Sequence, residues 1–426
     1  MYDIRILREN LNELRAGLER RGVLAALEET LARAVELDTE RRALIQQVEE
    51  RKAQRNSNSQ EVAKLKRAGA NADELVVQGR ALGEEIAGFE SRLREAEGEL
   101  NGILLELPNT TVEDVPAGGE SENRVLRSWG EPREAGSVPP HWDIAEQLGI
   151  LDLPRAAKMS GSGFVLFRGA GARLVRSLIN FMMDLHSTEH GYEELWVPTL
   201  VTRATMTGTA QLPKFEDDMY GVAGDDLFLI PTAEVPVTNL YREEMVEASM
   251  LPAGFCTYTP CFRREAGAAG KDTRGLLRMH QFDKVELVRY SVPEESGTEH
   301  ERLTSHAEAV LQRLGIPYRV LLLAAGDTGF ASTKTYDLEV FAPGVGKWLE
   351  VSSSSNCGEF QARRANIRFK PAGGGKPRYI HTLNASGLAL PRIVAALLEN
   401  GLQPDGSVLL PEALHSYVGA ERITRA

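Results

Sequence analysis

No proline interrupts the chain from Leu27 to Leu107, and through the second half of that stretch the apolar residues advance by alternating steps of four and three. The row Leu75, Gly79, Leu82, Ile86, Phe89, Leu93, Ala96, Leu100, Ile103 and Leu107 is the a/d seam of a coiled coil, a spacing that keeps one stripe of a helix turned toward a partner. The first half carries the stripe less regularly. Leu27, Ala34, Leu37, Leu44, Val48, Val62 and Leu65 hold it, and Arg41, Arg51, Arg55 and Asn58 interrupt it. Between the halves, Lys66 to Asp73 supplies a glycine stop and a cap for a returning helix. The expectation is an antiparallel coiled-coil hairpin with a basic cluster, Arg51, Lys52, Arg55, Lys64, Lys66 and Arg67, toward its tip. On charge alone that cluster reads as a solvated helix face.

Pro108-Asn109-Thr110-Thr111 ends the second helix, and the Gly, Pro and acidic residues from Val115 to Pro140 read as a linker with one strand, Arg124 to Trp129. This predicts an N-terminal domain over 1–110, a linker over 111–140 and a larger domain over 141–426. In the last of these, amphipathic helices (Ala170 to His190, Glu294 to Leu314) accompany β-rich runs at Phe164–Phe167, Leu227–Ile230, Asp283–Tyr290, Tyr318–Leu323 and Tyr336–Phe341. The runs cluster rather than alternate with helices, which favours an α+β fold with a largely antiparallel sheet flanked by helices. Neither a P-loop nor a G-x-G-x-x-G is present.

A net charge of −12 over 426 residues argues against a surface that binds nucleic acid everywhere, so any such contact must be local. Three cysteines, Cys256, Cys261 and Cys357, give neither a disulfide framework nor zinc-ligand spacing, and no zinc is expected. They read as packed thiols, and His280 and His381 as residues that orient loops. Charge within the first residues and the lack of any long apolar run predict no signal peptide, no membrane partner and a cytoplasmic location.

Three segments together resemble the motifs of the class II aminoacyl-tRNA synthetases. A helix running into Gly191-Tyr-Glu-Glu-Leu-Trp-Val-Pro198 is similar to motif 1, which in that family builds a homodimer interface. Phe262-Arg263-Arg264-Glu265, a glycine-rich charged loop and Arg278-Met-His-Gln-Phe282 resemble motif 2. There the likeness implies a strand–loop–strand hairpin offering Arg263 to the α-phosphate of ATP, Arg278 to the outer phosphates and Phe282 as a flat face for adenine. Arginine suits the task, because its planar fork stays charged and holds two phosphate oxygens at once. Adenylation is an in-line displacement accelerated by positioning and charge neutralisation. A plainer account makes Arg263 and Glu265 a neighbour pair on one strand face. Gly387-Leu-Ala-Leu-Pro-Arg392 resembles motif 3, with Arg392 against the γ-phosphate. It departs from the family pattern at Pro391, where glycine is usual. Proline is tolerated in a helix's first turn, which leaves Arg392 aimed as expected.

Thr232-Ala-Glu234, Thr259 to Gly267, His280 to Leu287 and Glu350-Val-Ser-Ser-Ser-Ser-Asn356 resemble the seryl-tRNA synthetases within that class, and with the hairpin the likeness spans the chain. It implies a serine pocket of Thr232, Ala233, Glu234, Arg263, Glu286, Asn384 and Ser386. The ATP site would take Arg263, Arg264, Glu265, Arg278, Met279, Phe282, Glu350, Val351, Ser352, Ser353 and Arg392. Of these, Arg263, Glu265, Arg278 and Arg392 would be catalytic, and Glu350 and Ser353 would hold Mg2+. Arg51, Arg55, Lys64, Lys66 and Arg67 would meet tRNA. A carboxylate such as Glu286 accepting the substrate hydroxyl would be left buried and unpaired by alanine or glycine, the stronger kind of discrimination. The family has cysteine near Ser354, a difference with no expected effect. The implied activity is serine–tRNA ligation, on serine tRNA and by resemblance also on selenocysteine tRNA. Two other readings are a serine-activating paralogue that loads a carrier protein, which should have lost the hairpin, and a silent scaffold, which should have lost Arg263, Glu286 or Arg392. This chain keeps all of these.

Overall fold

The computed structural model describes residues 1–266 and 274–425. The chain separates into two compact units, Met1–Glu19 with Val23–Leu107 and Arg20–Gly22 with Pro108–Ala426.

The first unit is dominated by the helices Leu24–Arg67 and Asp73–Glu106. Their antiparallel course shows in the cross-arm pairs, whose numbers rise on one arm as they fall on the other: Arg33 with Glu99, Arg41 with Glu97, Arg51 with Glu85. All of the expected second-arm seam is buried or half-buried. Three of the four polar interruptions of the first arm, Arg41, Arg51 and Asn58, find partners across it. Arg41 lies 2.9 Å from Glu97, Arg51 lies 2.6 Å from Glu85, and Asn58 Nδ2 donates to the Leu75 carbonyl at 2.8 Å. Gly69 turns the chain at φ +70, and Asn71 Oδ1 accepts from the Asp73 N–H at 2.8 Å, opening the return helix. Below, Leu14, Leu18, Leu31, Leu37, Leu100 and Leu107 form a closed apolar cluster with the short N-terminal helices.

In the second unit eight strands form one sheet in the spatial order Arg124–Trp129, Tyr318–Leu322, Lys334–Ala342, Lys347–Asn356, His381–Ala389, Gln281–Ser291, Ala253–Phe262 and Glu193–Glu194. Every pairing is antiparallel except the last, where Glu193–Glu194 runs parallel to its neighbour. The helices Ser296–Arg313 and Leu390–Gly401 pack on this sheet, and the second is buried along nearly its whole length. The segment 111–140 belongs to this unit and supplies an edge strand.

Two bulges shape the sheet. Pairing shifts between Leu338 and Glu339, so that Ser352 faces Leu338 while Glu350 faces Glu339 and Val351 is left over. That extra residue inverts the side-chain alternation and brings Glu350 to the same face as Ser353. A second shift falls at Gly387. A Cβ there would lie 3.0 Å from His186 Nε2 and 3.1 Å from Val285 Cγ1, so any side chain would press on both.

Two sequence expectations are corrected. Phe164–Phe167 is not a strand: only Phe167 makes a bridge, to Leu151, with Asp152 N–H on the Leu166 carbonyl. The partner segment enters the helix Leu153–Ser160 directly after Asp152, so the bridge cannot extend into a ladder. The helix expected to reach His190 stops at Asp184 and finishes in a π-type turn over Leu185–Glu189. There the Ser187 and Thr188 hydroxyls bond back to the Met183 and Asp184 carbonyls and compete with the regular ladder.

Candidate active site

Gln281–Ser291 lies between Ala253–Phe262 and His381–Ala389, and its alternation sends Phe282, Lys284 and Glu286 to one face. Glu286 sits opposite Thr257 on one neighbour and Ser386 on the other. Over this face opens a cavity of about 530 Å³ whose walls include Thr232, Glu234, Arg263, Lys284, Glu350, Ser353, Asn384 and Ser386, a volume in the usual range for small-molecule sites. A second cavity of about 200 Å³ adjoins it, lined by Arg263, Glu265, Arg278, Met279, Phe282, Lys284, Glu350, Ser386, Pro391 and Arg392 among others.

The cup of the first cavity is acidic and tightly hydrogen-bonded. Glu234 Oε1 accepts from Gln361 Nε2 at 2.6 Å, and Gln361 Oε1 accepts from the Thr382 hydroxyl at 2.7 Å, which fixes the amide's orientation. Burial, reinforced by the nearby charge of Glu286, pushes the Glu234 carboxyl up to about 7. Glu286 Oε1 accepts from Asn384 Nδ2 at 3.4 Å. Lys284 Nζ donates to Thr232 Oγ1 at 2.8 Å and lies 2.5 Å from Glu286 Oε2.

In the second cavity the three motif arginines come together. The Arg263 guanidinium lies over the Phe282 ring at 5.1 Å. Arg278 pairs with Glu265, so Glu265's ionic partner is the arginine that precedes the returning strand rather than Arg263. Arg392 Nη1 donates to the Glu350 carbonyl at 2.6 Å and its Nε to the Leu277 carbonyl at 3.3 Å. Pro391 occupies the first turn of the helix Leu390–Gly401, and Arg392 lies on the cavity wall. His280 Nδ1 is 3.1 Å from the Arg263 carbonyl and His381 Nδ1 is 2.8 Å from the Ser296 hydroxyl, each tying one segment to another. The loop residues 267–273 of the second motif, Gly267 included, lie outside the described residues.

Some expected site residues stand off the walls of these cavities. Ala233 and Val351 are core residues, the Ser352 hydroxyl donates to the Ser386 carbonyl at 2.7 Å, and Arg264 is exposed, its N–H on the Asp218 carbonyl. Ser354 turns away from the site and bonds Thr304 Oγ1 at 2.9 Å. The three cysteines are buried and unpaired with one another. Lys284 carries no role in the sequence reading although it lies within the His280–Leu287 stretch; its two-residue spacing from Phe282 and Glu286 is the signal that places it on their face. Asp337 was also missed. Facing Ser353 across the strand pair, its carboxyl is held well above the ordinary range by burial and the Glu350 charge. The far wall, Thr209 to Met219 with Phe330, carried no sequence signal.

Comparison with known proteins bears on the family and the fold. Residues 1–111 match the family model of the seryl-tRNA synthetase N-terminal domain, and residues 214–401 that of the tRNA synthetase class II core domain for G, H, P, S and T. A serine–tRNA ligase of Gemmatimonas aurantiaca is 60% identical over 98% of this chain and 99% of its own length. Among solved structures, the seryl-tRNA synthetase of Pyrococcus horikoshii complexed with ATP superposes with a TM-score of 0.93 at 38% identity, covering all of both chains. The cytoplasmic serine–tRNA ligase of Naegleria fowleri in complex with AMP gives 0.88 at 28% identity, covering 100% of this chain and 99% of the other. With both of its units matched and its full length shared at such identity, the chain belongs to the seryl-tRNA synthetases, the serine–tRNA ligases of the class II aminoacyl-tRNA synthetase family.

Proposed function

We propose that the acidic cup binds L-serine and the adjoining cavity ATP. The serine carboxylate attacks the α-phosphate, pyrophosphate leaves, and the 3′-hydroxyl of the terminal adenosine of serine tRNA then takes the seryl group from the adenylate. The observation that carries this reading is the convergence of Arg263, Arg278 and Arg392, drawn from two distant motifs, on one cavity that shares Arg263, Lys284 and Ser386 with the cup. Arg263 serves the α-phosphate, Arg278 and Arg392 the outer phosphates, and Phe282 with Met279 the adenine. Thr232 and Glu234 take the serine ammonium, while Glu286 and Ser386 take its hydroxyl, with Asn384 bracing Glu286. Val351, Ser352 and Ala233 contribute through backbone and packing.

Glu350 and Ser353 present a carboxylate and a hydroxyl on one face, with the Asp337 carboxyl behind Ser353. This all-oxygen set fits Mg2+, which takes few protein oxygens and fills its shell with phosphates and water. Bound there, Mg2+ would supply charge neutralisation on the phosphates.

The hairpin of the first unit is the tRNA-binding element, with Lys64, Lys66 and Arg67 at its exposed end and Arg51 and Arg55 half-buried along the seam row. Selenocysteine tRNA is a further substrate by the same resemblance. Two chains pair through the motif 1 region, where Trp196 is 88% exposed, more than a tryptophan ordinarily shows in an isolated soluble chain. No helix among the described residues is long and apolar enough to cross a membrane, and the chain acts in the cytoplasm.

The test is ATP–pyrophosphate exchange across a panel of amino acids, with and without serine tRNA. Only serine should drive labelled pyrophosphate into ATP, and with serine tRNA present separately labelled serine should appear in seryl-tRNA. Equal exchange with alanine or threonine would overturn the assignment of the cup.

A further inference from the structure

The lysine that sequence reasoning passed over occupies the place where a substrate ammonium belongs. Lys284 is 7% exposed at its side chain and Glu286 is fully buried. The lysine ammonium donates to Thr232 Oγ1 at 2.8 Å and lies 2.5 Å from Glu286 Oε2. These are two of the groups assigned above to serine. Glu286 Oε2 nevertheless has no aligned hydrogen-bond donor among the described residues, so the ion pair leaves a buried acceptor open to a better-placed one. Lys284 also lines both cavities, which puts the nucleotide site within reach of its flexible four-carbon stem.

We propose that Lys284 is a displaceable cation that couples the amino-acid cup to the nucleotide cavity. In the free enzyme it neutralises the cup. An arriving substrate needs both acceptors, Thr232 for its ammonium and Glu286 for its hydroxyl, and two ammonium groups cannot share so small and poorly solvated a space. The lysine ammonium then swings toward the phosphates, where it joins Arg263 at the α-phosphate. Serine binding thereby adds a positive charge to the ATP site, and by linkage ATP raises serine affinity by the same factor. This rests on the assignment of serine and ATP to the two cavities.

The ligand that isolates the effect is serinol, which carries the ammonium and hydroxyl of serine but no carboxylate. It can displace the lysine yet, with a neutral hydroxymethyl where serine has its carboxylate, brings no anion to a metal and no nucleophilic carboxylate to the nucleotide. Using the full chain with Mg2+ present, the dissociation constant of α,β-methylene-ATP is measured by calorimetry without amino ligand, with saturating L-serine and with saturating serinol. The same series is run on Lys284→Met and on Lys284→Gln, the latter keeping a hydrogen-bond donor in case the buried Glu286 leaves the methionine variant unfolded. In the parent, serine and serinol should each tighten the analogue about ten-fold, within the usual range of such couplings. In either folded variant serinol should still bind, and the analogue's constant should move less than two-fold. Serinol that binds the parent without tightening the analogue would overturn the proposal, as would ten-fold tightening retained in the variants. If neither serine nor serinol binds the parent, the cup assignment itself falls and the proposal with it.

Discussion

Glu399 and His141 form a wholly buried pair in which Glu399 Oε1 accepts both the backbone N–H and the Nδ1 proton of His141, each at 2.8 Å. The other ring nitrogen accepts the Leu276 N–H at 3.0 Å, which fixes the tautomer with hydrogen on Nδ1. Glu399 Oε2 accepts the Gly344 N–H at 2.7 Å. The motif 3 helix, the helix His141–Leu148 and the return arm of motif 2 are therefore locked two residues before Arg278. His141→Phe keeps a ring of similar size and removes both nitrogens. It should raise the KM for ATP about ten-fold while leaving the KM for serine within two-fold, and lower stability by about 1–3 kcal/mol through the orphaned buried groups. Steady-state exchange and thermal melts read both, and an equal rise in the two KM values would show that the brace does not act on the nucleotide arm.

Gly275 sits in the same contact at φ +67. A Cβ would meet His141 Nε2 at 2.5 Å and Trp142 Cε3 at 2.7 Å, and both side chains are held by packing. Gly275→Ala should therefore cost about 1–3 kcal/mol and weaken ATP binding in the same direction as His141→Phe. The double variant should be no worse for ATP than the poorer single one, since both loosen one arm. Additive losses in KM would place the two effects on different elements.

How far the sequence foretold all this depends on where the physical signal was local. The hairpin was legible to within a few residues at its far end because a 3.5-residue stripe survives even where Arg41 and Arg51 interrupt it, each having an acidic partner across the seam. Runs of β-forming residues that follow a turn signal, such as Tyr318–Leu322 after Gly315-Ile-Pro317, were also visible. Phe164–Phe167 looked the same by composition but meets its neighbour only at the Phe167–Leu151 bridge, and only tertiary structure decides that. The shared face of Glu350 and Ser353 could not be derived from a two-residue period, because it depends on the bulge at Val351. The roles of Arg263, Arg278 and Arg392 came from resemblance. Lys284 shows the converse: its direction was readable from alternation, but its contact with Thr232, fifty-two residues earlier, was not.

Arg263 lines both cavities, and its guanidinium lies 5.1 Å from the centre of the Phe282 ring, between the surfaces assigned to adenine and to serine. Its N–H and carbonyl are each bonded to His280, so the backbone position survives loss of the side chain. Arg263→Ala should reduce serine-dependent exchange at least about 100-fold, in keeping with loss of a transition-state charge partner, with the melting temperature shifted by a few degrees at most. Near-normal exchange would remove this arginine from the mechanism.

The base of the hairpin has its own apolar cluster, including Leu14, Leu18, Leu31, Leu100 and Leu107, whereas the outer part is held by the seam and exposed ion pairs of small individual worth. Replacing Leu37 to Leu93 with a short turn takes Leu37 from this cluster but leaves Leu14, Leu18, Leu31, Leu100 and Leu107 to hold the base. Serine-dependent exchange should stay within about two-fold of the parent, because no cavity residue comes from this unit, while charging of serine tRNA should fall at least about 100-fold. Retained charging would contradict the arm's assigned role.

The pH dependence follows from Glu234. Its carboxyl is raised from the ordinary 4.5 to about 7, by burial first and by the Glu286 charge second, against the opposing hydrogen bond from Gln361. Serine brings an ammonium, which binds the ionised carboxylate, so the KM for serine should rise as pH falls through 7, by about ten-fold one unit below that value. His186 and His306, both lowered by burial to about 3, stay neutral across this window and do not contribute. Stability runs the other way. A carboxyl with a raised folded value holds a proton that the unfolded chain releases between 4.5 and 7, so it disfavours the fold progressively as pH rises through that interval and fully above it. Glu234→Gln should flatten the serine profile at a uniformly higher KM, melt higher than the parent at pH 8 and lose that advantage near pH 4.5. A parent KM for serine that is constant from pH 6 to 8 would mean that Glu234 does not receive the substrate's ammonium.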